Sequence, residues 1–276
     1  MKNFFERHPL FHPKDDGSRW RGQSFVELAL VLPILIILLL GVVEVTMFLG
    51  RYLDALDLTR EAARFASARD SRPEIQAQIA DVDCSAPEPF NFYWHTACIF
   101  SPPTTDGQCL DCMSYAVGDA GRPAHCKFCN GLNPFVELKP ETDDVLISVF
   151  TVVNRQSSSE SPVTTWALSN HDLDTTHSNN WQYDCTGDQD AANIVQAEPY
   201  YTEARMASLL NVGPNTPTPA SRPNRGFVAV EFYYCYEQVL NIPFITAFIP
   251  NPMRLHAYTI MPLPAAAPTA TPKPSP

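Results

Sequence analysis

The sequence predicts an α+β protein with one long N-terminal transmembrane helix and a small antiparallel β-rich domain after it. Three observations support this prediction. An apolar segment near the N-terminus is long enough for a membrane-spanning helix, and β-branched or aromatic runs recur in the C-terminal half. Six of the eight cysteines fall between residues 84 and 129, which predicts a cysteine-rich insertion in the domain.

The composition indicates a chain that folds over most of its length. Hydrophobic residues make up 45% of the 276 residues and aromatic residues 11%, well above the content of disordered chains. The formal net charge is -11, and no long basic block occurs. Binding to phosphates requires clustered cations, so nucleic acid is excluded as an expected partner.

The apolar segment predicts a retained membrane anchor. Residues Leu28 to Val43 include no charged side chain, and the apolar character resumes from Val45 to Leu49. A bilayer core of about 30 Å requires about 20 apolar residues, and residues 25–49 satisfy that length. A cleaved signal sequence has a shorter apolar region of roughly 7 to 15 residues.

The residues around the segment predict its orientation. Five cations precede it, and the basic residues that follow it alternate with acidic ones. This positive-inside bias is slight, whereas the many cysteines favour an oxidising compartment for the C-terminal bulk. We therefore expect a single-pass protein of the cell membrane with a cytoplasmic N-terminus and an extracytoplasmic domain.

Two glutamates, Glu27 and Glu44, interrupt the apolar helix. A charged side chain at bilayer depth costs about 3 kcal/mol on insertion scales, so each requires a reason. Glu44 is expected near the far interface, within reach of water. Glu27 stands in the frame RGQSFVE (residues 21–27), where a glycine follows a cationic leader and a carboxylate opens an apolar helix.

That frame resembles the prepilin peptidase site of type IV pilins. The longer string RGQSFVELALVLPILIILLLGVVE, with Pro33 early in the helix, resembles the N-terminal segment of TadE-like proteins, the minor pilins or pseudopilins of tight-adherence (Flp-type) pili. The resemblance covers about residues 21–68. A weaker similarity to the end of such proteins occurs in GFVAVEFYYCYEQ, NIPFITAFIP and RLHAYTIM.

The resemblance implies a structural function in pilus assembly, adhesion and surface attachment. Cleavage after Gly22 would make Gln23 the new N-terminus, whose amine, with a pKa of about 7.7 to 8.0, is largely cationic at neutral pH. Glu27 of a neighbouring subunit would pair with that amine, relieving the burial cost of both charges. The implied partners are the membrane, other pilus subunits, the assembly platform and a prepilin peptidase.

Beyond the membrane the helix is expected to continue through residues 51–71. Its apolar stripe would comprise Tyr52, Leu53, Leu56, Ala63 and Phe65. Pro73 should end the helix, because proline disfavours a helical residue before it. The alternative is a membrane anchor followed by an ordinary amphipathic core helix.

The cysteines allow disulfides or a metal site. Four of them form a CxxC-x13-CxxC pattern whose thiolates could surround Zn²⁺, and zinc is the alternative to an expectation of no cofactor. An oxidising compartment favours disulfides instead. A redox-active CxxC is disfavoured, because the surrounding composition is typical of loops. The pattern comprises Cys109, Cys112, Cys126 and Cys129, and the other cysteines are Cys84, Cys98, Cys185 and Cys235.

No sequence pattern indicates an enzyme. The segment from His171 to His177 holds imidazoles and carboxylates that could bind a metal, but its setting, SNHDLDTTHSNNWQYD, is typical of a polar loop. Motifs for serine hydrolases, zinc proteases, phosphate binding and EF-hand calcium loops do not occur. We expect no catalytic residues.

Three strands are expected, at residues 144–153, 226–236 and 255–261, with a short helix within 193–210. In the second strand, Val228, Val230, Phe232, Tyr234 and Tyr236 would share one face. The predicted organisation is a cytoplasmic leader (1–22), a transmembrane helix (23–50), its extension (51–73), a cysteine-rich loop region (74–140), a β-rich domain (141–262) and a Pro/Thr/Ala-rich disordered tail (263–276).

A second function remains open from the sequence. The chain would then be an uncleaved, single-pass protein whose disulfide-stapled extracytoplasmic domain binds a ligand or wall polymer. The helix would act only as an anchor.

Overall fold

The computed structural model describes most of the helix and the domain. The described residues are 18–69, 71, 83–86, 88, 90–105, 107, 109–133, 135–139, 142–152, 163–168, 185, 199–210 and 225–263. The chain divides into two compact units, residues 1–46 and residues 47–276. The predicted segment His171–His177, the greater part of the leader and the tail from residue 264 lie outside the described residues.

The first element is α1, a 50-residue helix at Ser18–Ser67 that includes Pro33. The expectation of one long N-terminal helix is confirmed. From Phe25 to Leu39 every side chain of this helix is exposed, although nearly all are apolar. Such a surface is typical of a helix whose natural surroundings are lipid or other apolar helices.

A four-stranded antiparallel sheet forms the centre of the second unit. Its strands are β1 (Asp144–Val152), β2 (Val163–Leu168), β3 (Arg225–Tyr236) and β4 (Met253–Leu263). Their order across the sheet is β2-β1-β3-β4. The two central strands, β1 and β3, pair along the whole of β1, with Asp144 opposite Tyr233 and Val152 opposite Arg225. The β1–β2 pairing has a bulge between Val149 and Phe150.

One face of the sheet packs against the C-terminal part of α1. The helix contributes mostly alanines, which allow its backbone to approach the sheet closely, and Leu58. All five even-numbered residues predicted for one face of β3 lie in this core. The predicted stripe is wrong at Leu53, which is 58% exposed; the helix buries Ala55, Leu58, Ala62, Ala63 and Ala66.

Short elements cover the remaining surfaces. Helix α2 (Phe92–Ala97) is capped by the Asn91 side chain, and α3 (Glu203–Leu209) is capped by Thr202. Helix α3 packs its Met206 against Phe150 and Ala229 on the second sheet face. A further one-turn helix, α4 (Pro243–Thr246), lies in the connection between β3 and β4.

The structure differs from the prediction in three places. The expected strands are present, but β2 was missed, so the sheet has four strands among the described residues. Helix α1 ends at Ser67 and not at Ser71, with a turn at residues 68–69. The helix expected within residues 193–210 is described only at Glu203–Leu209, where the Thr202 cap fixes its start.

Candidate functional site

Glu27 lies on the exposed surface of α1. Its neighbours along the helix, Phe25, Val26 and Leu28, are exposed apolar residues. Gly22 and Gln23 lie in the second turn of the same helix. The structure therefore places the carboxylate one helical turn beyond the predicted processing site, near the start of the exposed apolar surface that runs from Phe25 to Leu39.

The helix has the dimensions of a membrane span. Within the described residues, α1 is the one helix long and apolar enough to cross a membrane. Residues 25–49 cover about 37 Å at 1.5 Å per residue, more than the bilayer core of about 30 Å. Glu44, expected to be accessible to water near the interface, is instead only 6% exposed.

The family comparison matches this helix. The family model described as TadE-like protein matches residues 22–64. Residues 22–64 are a TadE-like segment. It begins at Gly22, includes Glu27 and ends one turn before α1 ends at Ser67. The suspected resemblance is thus confirmed for the helix.

The match covers 43 of the 276 residues, so it describes most of helix α1 and none of the sheet. The match also agrees with an N-terminal membrane anchor. No curated protein and no solved structure matches the chain.

The cysteines form four disulfides, and none of the eight is free. The two CxxC motifs pair with each other in a nested arrangement, Cys109 with Cys129 and Cys112 with Cys126. The Sγ atoms of Cys112 and Cys129 are 3.8 Å apart, so the two bridges are in contact. The other bridges are Cys84–Cys98 and Cys185–Cys235.

Polar contacts close the cysteine-rich region around these bridges. The Arg122 guanidinium pairs with the Asp83 carboxylate, and both side chains are largely buried. A second nitrogen of Arg122 donates to the Cys126 carbonyl at 2.8 Å. The Cys84 amide donates to the Lys127 carbonyl at 2.8 Å. Residues 83–86 are thereby fastened to residues 122–130.

Gly131 allows the same region to pack closely against Ser101 and Pro102, which follow α2 in the chain. The amides of Asn130 and Gly131 donate to the Pro102 carbonyl at 3.0 and 3.1 Å. A Cβ atom at position 131 would lie 1.5 Å from the Ser101 carbonyl oxygen. This close approach requires glycine.

The sulfur chemistry of this region follows from the pairing. Among the residues that the structure describes, two groups have the spacing of metal ligands: Asp111, Cys112, His125 and Cys126, and Cys109, Cys112 and Cys129. Zinc requires deprotonated thiols, which a disulfide does not supply. Zinc therefore stays an alternative for the reduced chain. The oxidised arrangement can act as a covalent staple.

Sequence reasoning missed a buried polar centre on the second sheet face. Glu231 is fully buried, and its Oε2 atom accepts from the Tyr200 amide at 2.9 Å and from the Tyr233 hydroxyl at 3.1 Å. Its Oε1 atom accepts from the Tyr201 amide at 3.1 Å. The His256 Nε2 atom lies 3.0 Å from Oε2. The available signal was a glutamate in the middle of a strand whose only other charged residue is Arg225 at its start.

A second buried carboxylate, Asp143, fastens the start of β1 to β3. It accepts from the Lys139 amide at 2.9 Å and from the Cys235 amide at 2.8 Å. Burial raises the pKa of Asp143 to about 6, and the hydrogen bonds partly offset that effect. Asp143 thus lies beside the Cys185–Cys235 bridge and contacts the backbone of Cys235.

Proposed function

We propose that the protein is a minor pilin or pseudopilin-like component of a Tad/Flp-type pilus assembly system. The observation that carries the proposal is the TadE-like match, which begins at Gly22 and includes Glu27 on an exposed apolar helix. The start of the match at Gly22 supports cleavage of the Gly22–Gln23 bond by a prepilin peptidase.

The proposed chemistry of assembly is electrostatic. Cleavage exposes a cationic amine on Gln23, four residues before the anionic Glu27. In lipid or in a helix bundle, each isolated charge carries a desolvation cost of several kcal/mol. Pairing Glu27 of one subunit with the amine of the next relieves both costs and fixes the axial register of the helices. An uncharged residue at position 27 removes this preference.

The domain after the helix is proposed to lie outside the cytoplasm and to contact surfaces or other pilus components. Its four disulfides suit an oxidising compartment. The nested CxxC bridges stabilise a region with little regular secondary structure. Covalent stabilisation of this kind suits a region exposed on a pilus base or fibre.

The experiment compares Glu27→Gln with Glu61→Gln in a host that carries the pilus machinery. Glu61 is an exposed glutamate of the same helix, paired with Arg64 at 3.8 Å, and serves as the control. The fraction of the protein that crosslinks to other pilus subunits is measured beside the total membrane-bound pool. Glu27→Gln should remain in the membrane and lose the crosslinked fraction, while Glu61→Gln should keep both.

A second candidate is an uncleaved, membrane-anchored binding domain. The observation in its favour is that the TadE-like match ends at residue 64, so the domain carries its own, separate architecture. This candidate predicts normal behaviour of Glu27→Gln in every assay of assembly. It also predicts that the domain retains a soluble or wall-bound ligand through purification.

A further inference from the structure

The connection between β3 and β4 exposes apolar side chains to an unusual degree. The sequence has no charged residue between Glu237 and Arg254. Within this connection, Val239, Leu240, Phe248 and Ile249 are all exposed, and Phe248 is 77% exposed. Exposed apolar clusters of this kind mark surfaces that contact a partner or a membrane.

Polar contacts inside the connection hold its shape. The Gln238 amide donates to Asn251 Oδ1 at 2.9 Å, and Asn251 Nδ2 donates to Asn241 Oδ1 at 3.1 Å. The Gln238 side chain donates to the Ile249 carbonyl at 3.4 Å, and helix α4 occupies the centre. The exposed apolar side chains are therefore carried on a loop with its own internal hydrogen bonds.

The base of the loop lies beside the part of α1 that enters the domain. The ring of Phe48, in the last apolar turns before the domain, contacts the ring of Tyr236 edge-on at 5.5 Å. Tyr236 pairs with Met253 at the base of the loop. Further along α1, Thr59 lies 3.3 Å from Thr259, well up strand β4. The helix thus runs away from the loop as it enters the domain.

A cation and a second exposed aromatic ring lie near this end of the domain. Arg51, one turn after Phe48, donates to the Phe135 carbonyl at 2.6 Å, and its guanidinium lies 5.1 Å from the centre of the Phe135 ring. Phe135 is 63% exposed. Aromatic rings beside a cation are typical of membrane–water interfaces, where the charge contacts headgroups.

We propose that the β3–β4 loop inserts its apolar side chains into the leaflet from which α1 emerges, giving the domain a second membrane contact. The occupant is a phospholipid bilayer, because the loop adjoins the last turns of a helix already placed to span it. The tether to α1 supplies a high effective concentration, so a small apolar area suffices. The expected depth is about 5–10 Å, at the boundary of headgroups and acyl chains.

This inference rests on insertion of α1, and the test separates the two. The full chain is reconstituted in proteoliposomes with brominated phospholipids, which quench tryptophan by contact. Three variants are compared with the parent protein, whose four tryptophans set the background. Phe248→Trp reports the loop, Leu35→Trp reports the helix, and Leu209→Trp, at an exposed site of α3, is the control.

The added fluorescence of Phe248→Trp should be quenched to a similar fraction as that of Leu35→Trp, with a blue-shifted emission, while Leu209→Trp stays unquenched. Quenching of Leu35→Trp with none at Phe248→Trp would overturn the loop proposal and leave the anchor intact. A failure of quenching at Leu35→Trp would overturn the anchor and the loop proposal together. If the emission of Phe248→Trp is blue-shifted only at a high protein-to-lipid ratio, and is not quenched by the brominated lipid, the loop contacts other copies of the chain. That result would also overturn the proposal.

Discussion

The Glu231 carboxylate lies 3.0 Å from Nε2 of His256, on the sheet face opposite α1. At this distance the two groups share a hydrogen bond, in which Nε2 donates when it carries the ring hydrogen. The same carboxylate accepts hydrogen bonds from the backbone amides of Tyr200 and Tyr201. Glu231 therefore joins the segment before α3 to β3 and β4.

Replacing Glu231 with Gln should destabilise the domain. The Gln side chain has an NH₂ group in place of one carboxylate oxygen, so at least one of the donors that now bind Glu231 would lose its acceptor. The expected cost is about 3 kcal/mol in the free energy of unfolding. Glu237→Gln is the matched control, because its carboxylate is 72% exposed and pairs with Lys139 at 3.6 Å; it should cost less than about 1 kcal/mol. Denaturant unfolding followed by near-UV circular dichroism measures both. Equal effects would contradict the structural role of Glu231.

Gly131→Ala should lower stability through a backbone clash. The new methyl group would meet the Ser101 carbonyl oxygen and separate residues 130–131 from Pro102, at a cost of at least about 2 kcal/mol. Gly121→Ala is the control, since nothing lies within 4 Å of its Cβ position. Thermal unfolding of the two variants measures the difference. If Gly131→Ala and Gly121→Ala unfold at the same midpoint temperature, the close approach at Gly131 is refuted.

The disulfides predict that denatured, unreduced protein has no thiol that reacts with an alkylating agent. Peptide mapping should recover the nested pairs Cys109–Cys129 and Cys112–Cys126. Reduction should destabilise the domain, because closing a loop of about 15 residues contributes about 3 kcal/mol. Four reactive thiols together with one bound zinc per chain would instead favour the metal alternative.

Asp143 predicts a pH dependence of stability with a defined sign. Its pKa is raised from 3.8 to about 6, so the folded state binds the proton more tightly than the unfolded state. Its contribution is fully present below about pH 4 and is lost as the pH rises through about 6, by on the order of 3 kcal/mol. The stability of the parent minus that of Asp143→Asn should fall between pH 4 and pH 7. A constant difference would contradict the raised pKa.

The sequence predicts the elements whose patterns are long and regular. Alternation along β3 identified the face that packs on α1, because burial of one sheet face imposes a period of two. The uncharged run from Leu28 identified the long helix. Strand β2 was missed because a run of six residues between polar stretches of sequence is too short for its pattern to identify a strand.

Contacts between distant segments explain the rest. Eight cysteines allow about a hundred complete pairings, and only the fold selects one. Glu231 lies on the face of β3 opposite the predicted core, where sequence periodicity suggests solvent, but the segment of Tyr200 and Tyr201 covers it. Conversely, the exposure of Phe248 contradicts the usual burial of a phenylalanine and is visible only in the folded loop.

The most direct test of the central claim is the N-terminal sequence of the protein recovered from membranes of a host with its own pilus machinery. A start at Gln23 is predicted, because the TadE-like segment begins at Gly22 and Glu27 would then lie four residues from the new amine. An intact start at Met1 would contradict processing and assembly as a pilin, and would favour the uncleaved, membrane-anchored binding domain.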